Sequence, residues 1–270
     1  MRIGDREFDV KNHTYIMGIL NVTPDSFSDG GKYNEKDAAL AHVQQMIEEG
    51  ADIIDIGGES TRPGHQPITA EEEMERVLPI LRLVKGEFDI PVSLDTYKSQ
   101  VAETALKEGA DLINDIWGLK YDKEMARVIS SYKAVCCLMH NRDSADYKKF
   151  MEEVKEDLRK SLAMAHEAGI EDDKIILDAG VGFGKTYENN LEVICKVGEL
   201  HELGYPLLLG TSRKSVIGLT LDLPVTERME GTVATTVCGV MNHCAFVRVH
   251  DIKENKRAIQ MAEAVREGWK

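Results

Sequence analysis

Eight short apolar runs recur along the chain, separated mostly by longer amphipathic stretches, and this rhythm restricts the fold more than any other feature. The runs span residues 15–20, 53–56, 92–94, 112–113, 135–139, 175–177, 206–209 and 245–249. Helical patterns lie between them, at 35–49, 70–85, 98–108, 145–168 and 188–203. Gly50, Gly109, Gly169 and Gly204 follow four of these patterns closely, where helices take a C-terminal glycine. Runs this apolar, with no in–out alternation, are buried on both faces, as strands of a helix-covered parallel sheet are. Eight strand–helix units in 270 residues favour a closed (β/α)8 TIM barrel over an open sheet. Residues 1–10 read as a small hairpin under the barrel and 251–270 as its last helix. No Pro- or Gly-rich linker interrupts the pattern, so 1–270 reads as a single domain.

Composition narrows the function. A formal charge of −14 argues against a nucleic-acid partner, which would need a basic face. It leaves room for an anionic small molecule, since a few local cations or backbone N–H groups hold a phosphate. The five cysteines form no CxxC pair, and adjacent Cys136 and Cys137 sit inside an apolar run. They read as buried free thiols rather than metal ligands or disulfides. Neither a signal peptide nor a membrane-spanning run is visible, so the expectation is a cytoplasmic protein with no membrane partner.

Active groups of a (β/α)8 barrel sit where strands end. Here the eight runs lead in turn to Asn21, through Asp55 into Gly57-Gly58-Glu59-Ser60-Thr61-Arg62, to Asp95, Asn114-Asp115, His140, Asp178, Thr211-Ser212-Arg213-Lys214, and Arg248 with His250. Any one of these could be a helix cap. A full ring containing several carboxylates and cations is better read as a polar pocket at the barrel mouth. Asp95, Asn114 and Asp178 offer acceptors to a heterocycle rich in N–H groups, and Lys214, Arg248 and Arg62 offer cations to phosphate oxygens.

The motifs at these strand ends resemble those of dihydropteroate synthases. GILNVTPDSFSDGG (18–31) and DIGGESTRPG (55–64) are similar to the two signatures of that family. SLDT (93–96), IND (113–115), GFGK (182–185), GTSRKS (210–215) and RVHD (248–251) follow in the family's order. The departure is Asp178-Ala179-Gly180, where the family usually has Asp-Pro-Gly; the carboxylate remains, and only a φ constraint is lost.

The resemblance implies a transferase of folate biosynthesis, acting on 6-hydroxymethyl-7,8-dihydropterin diphosphate and p-aminobenzoate, sensitive to sulfonamides, and working as a homodimer with Mg²⁺. It implies that Asp178 and Asn114 hold the aminopyrimidine edge of the pterin. Asp95 would face the reduced ring and Lys214 the carbonyl side. Arg248, His250, Thr61 and Asn21 would surround the diphosphate, with Asn21 also a ligand of Mg²⁺. Arg62, Phe183 and Ser215 would shape the p-aminobenzoate site. Asp95, Lys214 and Arg248 would be the catalytic residues.

Two further features bear on this reading. The loops at 21–34 and 57–66 are long for their place and read as lids. AGVGFGKT (179–186) misses the phosphate-loop pattern by one position, Ala179, which makes Lys185 a loop lysine. Gly180, Gly182 and Gly184 would let the backbone pass close to the substrates. His140 would face the mouth without touching substrate, and Trp117 and Trp269 would serve packing. Two rivals remain: a pterin-binding methyltransferase, which would not need the diphosphate cations, and a non-catalytic binder, which would not need to keep Asn21, Asp95, Lys214 and Arg248.

Overall fold

In the computed structural model, which describes residues 1–23, 31–60 and 66–268, eight parallel strands close on themselves. A two-stranded hairpin, β1 (Arg2–Ile3) and β2 (Arg6–Glu7), precedes them. The first half of the barrel runs β3 (Tyr15–Asn21), α1 (Gly31–Glu49), β4 (Ile53–Gly57), α2 (Ala70–Glu87), β5 (Val92–Asp95), α3 (Ser99–Lys107) and β6 (Leu112–Asp115). The second half continues through α4 (Met125–Tyr132), β7 (Val135–Met139), α5 (Phe150–Glu167), β8 (Ile175–Asp178) and α6 (Tyr187–Cys195). It ends with β9 (Leu207–Leu209), α7 (Ser215–Leu221), α8 (Met229–Met241), β10 (Phe246–Val249) and α9 (Ile252–Gly268). β10 closes the ring by pairing with both β9 and β3. All eight expected strands are present in the expected order.

Both faces of each strand are buried, so the sequence hides which side chains point inward. The packing separates them. Ile16, Leu20, Ile54, Ile56, Leu94 and Leu138 join the helices in the outer core. Met17, Ile53, Leu112, Val135, Cys137, Ile176, Leu208 and Phe246 form a second, inner core, together with Ile3 and Phe8 of the hairpin segment. The hairpin thus plugs the bottom of the barrel with Ile3 fully buried against that inner layer.

Two residues further along several strands, the inner face turns polar. Ile53 is succeeded by Asp55, Ser93 by Asp95, Leu112 by Asn114, Ile176 by Asp178, and Phe246 by Arg248. A strand side chain recurs on the same face every second residue, so these groups crown the apolar floor.

The helices start and stop for local reasons. Thr69 caps α2 by accepting from Glu72 N while the Glu72 carboxylate accepts from Thr69 N. The four expected glycines after helices all have left-handed backbones, with φ between +83° and +104°. Two expectations are corrected. The helix expected over 145–168 begins only at Phe150, because Glu153 accepts from the N–H groups of Lys148 and Lys149 and caps the chain there. The helix expected over 188–203 breaks after Cys195 and continues as a tighter 3₁₀ stretch, Val197–Leu203. Gly198 lies at that break, with Asn242 Oδ1 only 2.7 Å from where a Cβ would stand.

Candidate active site

At the barrel mouth Arg248 rises from β10 between two carboxylates. Its Nε donates to Asp55 Oδ2 at 2.6 Å and its Nη2 to Asp95 Oδ2 at 2.7 Å. Asn114 Nδ2 also donates to Asp55 Oδ2, at 3.3 Å. Two buried carboxylates therefore share one guanidinium. Burial raises the Asp95 pKa to about 7; Arg248 opposes the shift and Asp55 adds to it. Burial also works against the charge of Arg248, but Asp55 and Asp95 outweigh it and hold the guanidinium above its ordinary value. Asp55 Oδ1, Asp95 Oδ1 and Ser93 Oγ are buried with no partner among the described residues. Buried acceptors left open are costly, and two of these three belong to the carboxylates that hold Arg248.

Asp178 stands at the end of β8, across the mouth. Its Oδ1 accepts from Gly180 N at 2.7 Å, and its Oδ2 lies 3.7 Å from where a Cβ on Gly210 would be, beside Arg248 Cβ. Burial raises its pKa, with Lys214 opposing. Lys214 immediately precedes α7, with Nζ donating to Val181 O and sitting 4.9 Å from the centre of the Phe183 ring. Burial lowers the pKa of that ammonium to about 8, and Asp178 opposes the shift. Ser215 follows as the exposed first residue of α7, on the rim.

Asn21 ends β3. Its Oδ1 lies 3.6 Å from the Cβ position of Gly57, and Asp95 Oδ2 lies 3.7 Å from the same point, so both side chains look onto one spot. His250 is fixed by Ser212, whose Oγ accepts from His250 N at 3.1 Å and lies 2.9 Å from His250 Nδ1. With the hydroxyl donating to Nδ1, the neutral ring carries its proton on Nε2.

Asn21, Asp95, Asn114, Asp178, Lys214, Arg248 and His250 thus end around one mouth, with Phe183 and Ser215 on its rim. Thr61, Arg62 and Trp269 lie outside the described residues, as do the central parts of both expected lids. His140 is corrected: it is fully buried and turned outward, with Nε2 3.3 Å from Asp157 Oδ2 of α5. Two glycines have a different reason from the one expected. A Cβ on Gly180 would come 1.8 Å from His140 O, and one on Gly184 would come 2.4 Å from Arg142 O, so neighbouring backbone demands glycine there. Arg213 turns away to pair with Asp251.

Sequence reasoning counted Asp55 in the polar ring but gave it no role, although its place two residues after inward-facing Ile53 was a usable signal. It also passed over an apolar wall at the mouth, where Tyr97, Ile116 and Met139 pack with Trp117 and Phe183. Met139 is the register partner of Asp178, which sets this wall beside the polar ring.

A closed (β/α)8 barrel with an acceptor-rich crown and flanking cations defines an enzyme for a flat, N–H-rich heterocycle bearing an anion. The family described as pterin binding enzyme matches residues 17–250. A dihydropteroate synthase of Clostridium beijerinckii is 60% identical over 98% of this chain and 99% of its own length. The structure of a dihydropteroate synthase from Clostridium difficile, determined in the presence of pteroic acid, superposes with a TM-score of 0.94. It is 54% identical, over 96% of this chain and 99% of that one. A Yersinia pestis dihydropteroate synthase with a sulfonamide drug complex gives a TM-score of 0.93 at 38% identity, covering 99% of both chains. The chain belongs to the dihydropteroate synthase family of pterin-binding enzymes.

Proposed function

We propose that the mouth side chains carry out the dihydropteroate synthase reaction: 6-hydroxymethyl-7,8-dihydropterin diphosphate and p-aminobenzoate give 7,8-dihydropteroate and diphosphate. The observation that carries the mechanism is the pair of buried carboxylates sharing one guanidinium. Asp178 and Asn114 accept from the aminopyrimidine edge, and Lys214 donates to the pterin carbonyl. The apolar wall around Met139 and Ile116 lies against the ring. Arg248, His250, Asn21 and Thr61 surround the diphosphate, and Arg62, Phe183 and Ser215 shape the p-aminobenzoate site.

The bond between the exocyclic methylene and diphosphate breaks, and the bonding pair leaves with the diphosphate. The methylene cation left behind is delocalised onto the pterin, where Asp95 in its ionised form favours it. The amine nitrogen of p-aminobenzoate supplies the new pair and then gives up one proton. An aromatic amine is already neutral at pH 7, so the chain has to position and stabilise rather than deprotonate.

Mg²⁺ fits this mouth. It is held by few protein oxygens and keeps water and phosphate oxygens for the rest of its shell. Asn21 offers one carboxamide oxygen beside Asp95, and among the described residues no group of three His, Cys, Asp or Glu could hold an ion alone. When bound there, Mg²⁺ would supply neutralising charge to the leaving diphosphate.

A homodimer is part of the proposal. Leu191 of α6, and Leu219 and Leu221 of α7, are large apolar side chains left exposed on neighbouring helices. The described helices contain no segment long and apolar enough to cross a membrane. The test is a single turnover with pterin diphosphate and Mg²⁺, with and without p-aminobenzoate. Dihydropteroate should form with the acceptor, and slow release of diphosphate should persist without it. Release that depends strictly on the amine would overturn the cationic route.

A further inference from the structure

The segment after β8 folds back on itself with little backbone ladder to hold it, yet four of its carbonyls are claimed by side chains. Lys185 Nζ donates to Gly180 O at 2.8 Å and Phe183 O at 3.0 Å. Lys214 Nζ takes Val181 O, and the Tyr147 hydroxyl takes Gly184 O at 2.7 Å. In its ammonium form Lys185 has a third proton for His140 Nδ1, 2.7 Å away. All three donors of one lysine are therefore spent on shaping this loop and tying it to the end of β7.

The anchor continues behind the barrel. With Nδ1 accepting from Lys185, the neutral His140 ring carries its proton on Nε2 and points it at Asp157 Oδ2, 3.3 Å away. Asp157 in turn is held by Arg142 Nε and by Lys160 Nζ. The position is an expensive one for a lysine. Burial lowers its pKa to about 7, with Lys214, Lys120 and Arg142 adding to the shift and Asp178 opposing it.

We propose that Lys185 is a positioning residue for p-aminobenzoate, acting through the backbone of residues 180–185 to set the Phe183 ring at the mouth. The inference rests on the reading that Phe183 lies against the acceptor. Lys185 makes no hydrogen bond to the pterin acceptors or the diphosphate cations; its charge is felt at Asp178, but its bonds go to the loop carrying Phe183 and to His140. A methionine at 185 would fill much of the same space, leaving Phe183 O without its lysine donor and Gly180 O with only Phe183 N, at 3.2 Å.

The experiment is steady-state kinetics of the Mg²⁺-loaded full chain for wild type, Lys185→Met, Lys185→Ala and Phe183→Ala, with melting temperatures alongside. Lys185→Met should raise KM for p-aminobenzoate by about tenfold or more, since small misplacements of a binding group carry penalties of that order. KM for pterin diphosphate should stay within about twofold. In Lys185→Ala, added n-propylammonium should restore the acceptor KM in part, and a neutral alcohol of equal length should not. Equal shifts in both KM values, or a lowered melting temperature with neither KM changed, would make Lys185 merely structural and overturn the proposal. If Phe183→Ala leaves the acceptor KM unchanged, the underlying reading of the loop fails as well. If Phe183→Ala raises it and Lys185→Met does not, the assignment of Lys185 alone is wrong.

Discussion

Around Arg248, geometry and sequence parity tell the same story at the scale of single residues. Its two carboxylate partners come from adjacent strands, and each lies on the inner face because of its position along the strand. Asp95, Asn114 and Asp178 were legible because they end apolar runs, and Arg248 because it is the one charged residue within its run. Asp55 was harder to see because its strand goes on to Gly57 and places it mid-strand. Lys214 invites a test in pH. Its cation is held down to about 8 by burial, so the charge is lost as pH rises through that value. The kcat/KM for pterin diphosphate, which reports the free enzyme, should fall along an alkaline limb with its midpoint near about 8. In Lys214→Arg the guanidinium stays charged, so the limb should disappear, while the fork's different shape lowers kcat/KM by roughly tenfold or more. A limb that survives unchanged in Lys214→Arg would show that another group titrates.

Among elements, the eight strands could be read from their apolar runs, but their inward and outward faces could not. A strand buried on both sides has no polar face to mark its parity, which is why His140 was expected at the mouth. On β7 the inner positions are Val135 and Cys137, with Met139 next in that parity, and His140 falls on the other side, against α5. Helix starts were missed where side chains from within the helix decide them, as Glu153 does for α5. The outward placement of His140 has a measurable consequence. Burial lowers its pKa from 6.5 to about 4, against the pull of Asp157, so the folded chain keeps it neutral where the unfolded chain protonates it. Its contribution is therefore intact above pH 6.5 and is lost as pH falls towards about 4. Between pH 7.5 and 5 the wild type should lose about 2 kcal/mol more stability than His140→Gln. Urea titrations at the two pH values check this, and parallel losses in both proteins would refute it.

On the scale of the whole molecule, the closed ring follows from the count and order of the strand–helix units, and that count was visible in the sequence. The hairpin's role as a plug was also visible in outline, but not which side chain does the plugging. Ile3 is the residue to test, since it is fully buried against Phe8 and the inner ends of the strands. Ile3→Ala should cost about 2 to 5 kcal/mol of stability, the usual penalty for a cavity left by a buried isoleucine. Because the hole opens at the end opposite the crown, KM for either substrate should stay within about twofold, measured well below the lowered melting temperature. A changed KM would mean that the floor and the crown are mechanically linked.

That solid floor also turns the barrel into a cul-de-sac with a single doorway. Asp178 and Asn114 stand at its inner end, while Phe183 stands by the entrance on a partly exposed loop. If the two substrates sit as proposed, they must queue: the one destined for the back wall has to walk in first. Once the two are joined, they can only back out together through the door by which the second arrived.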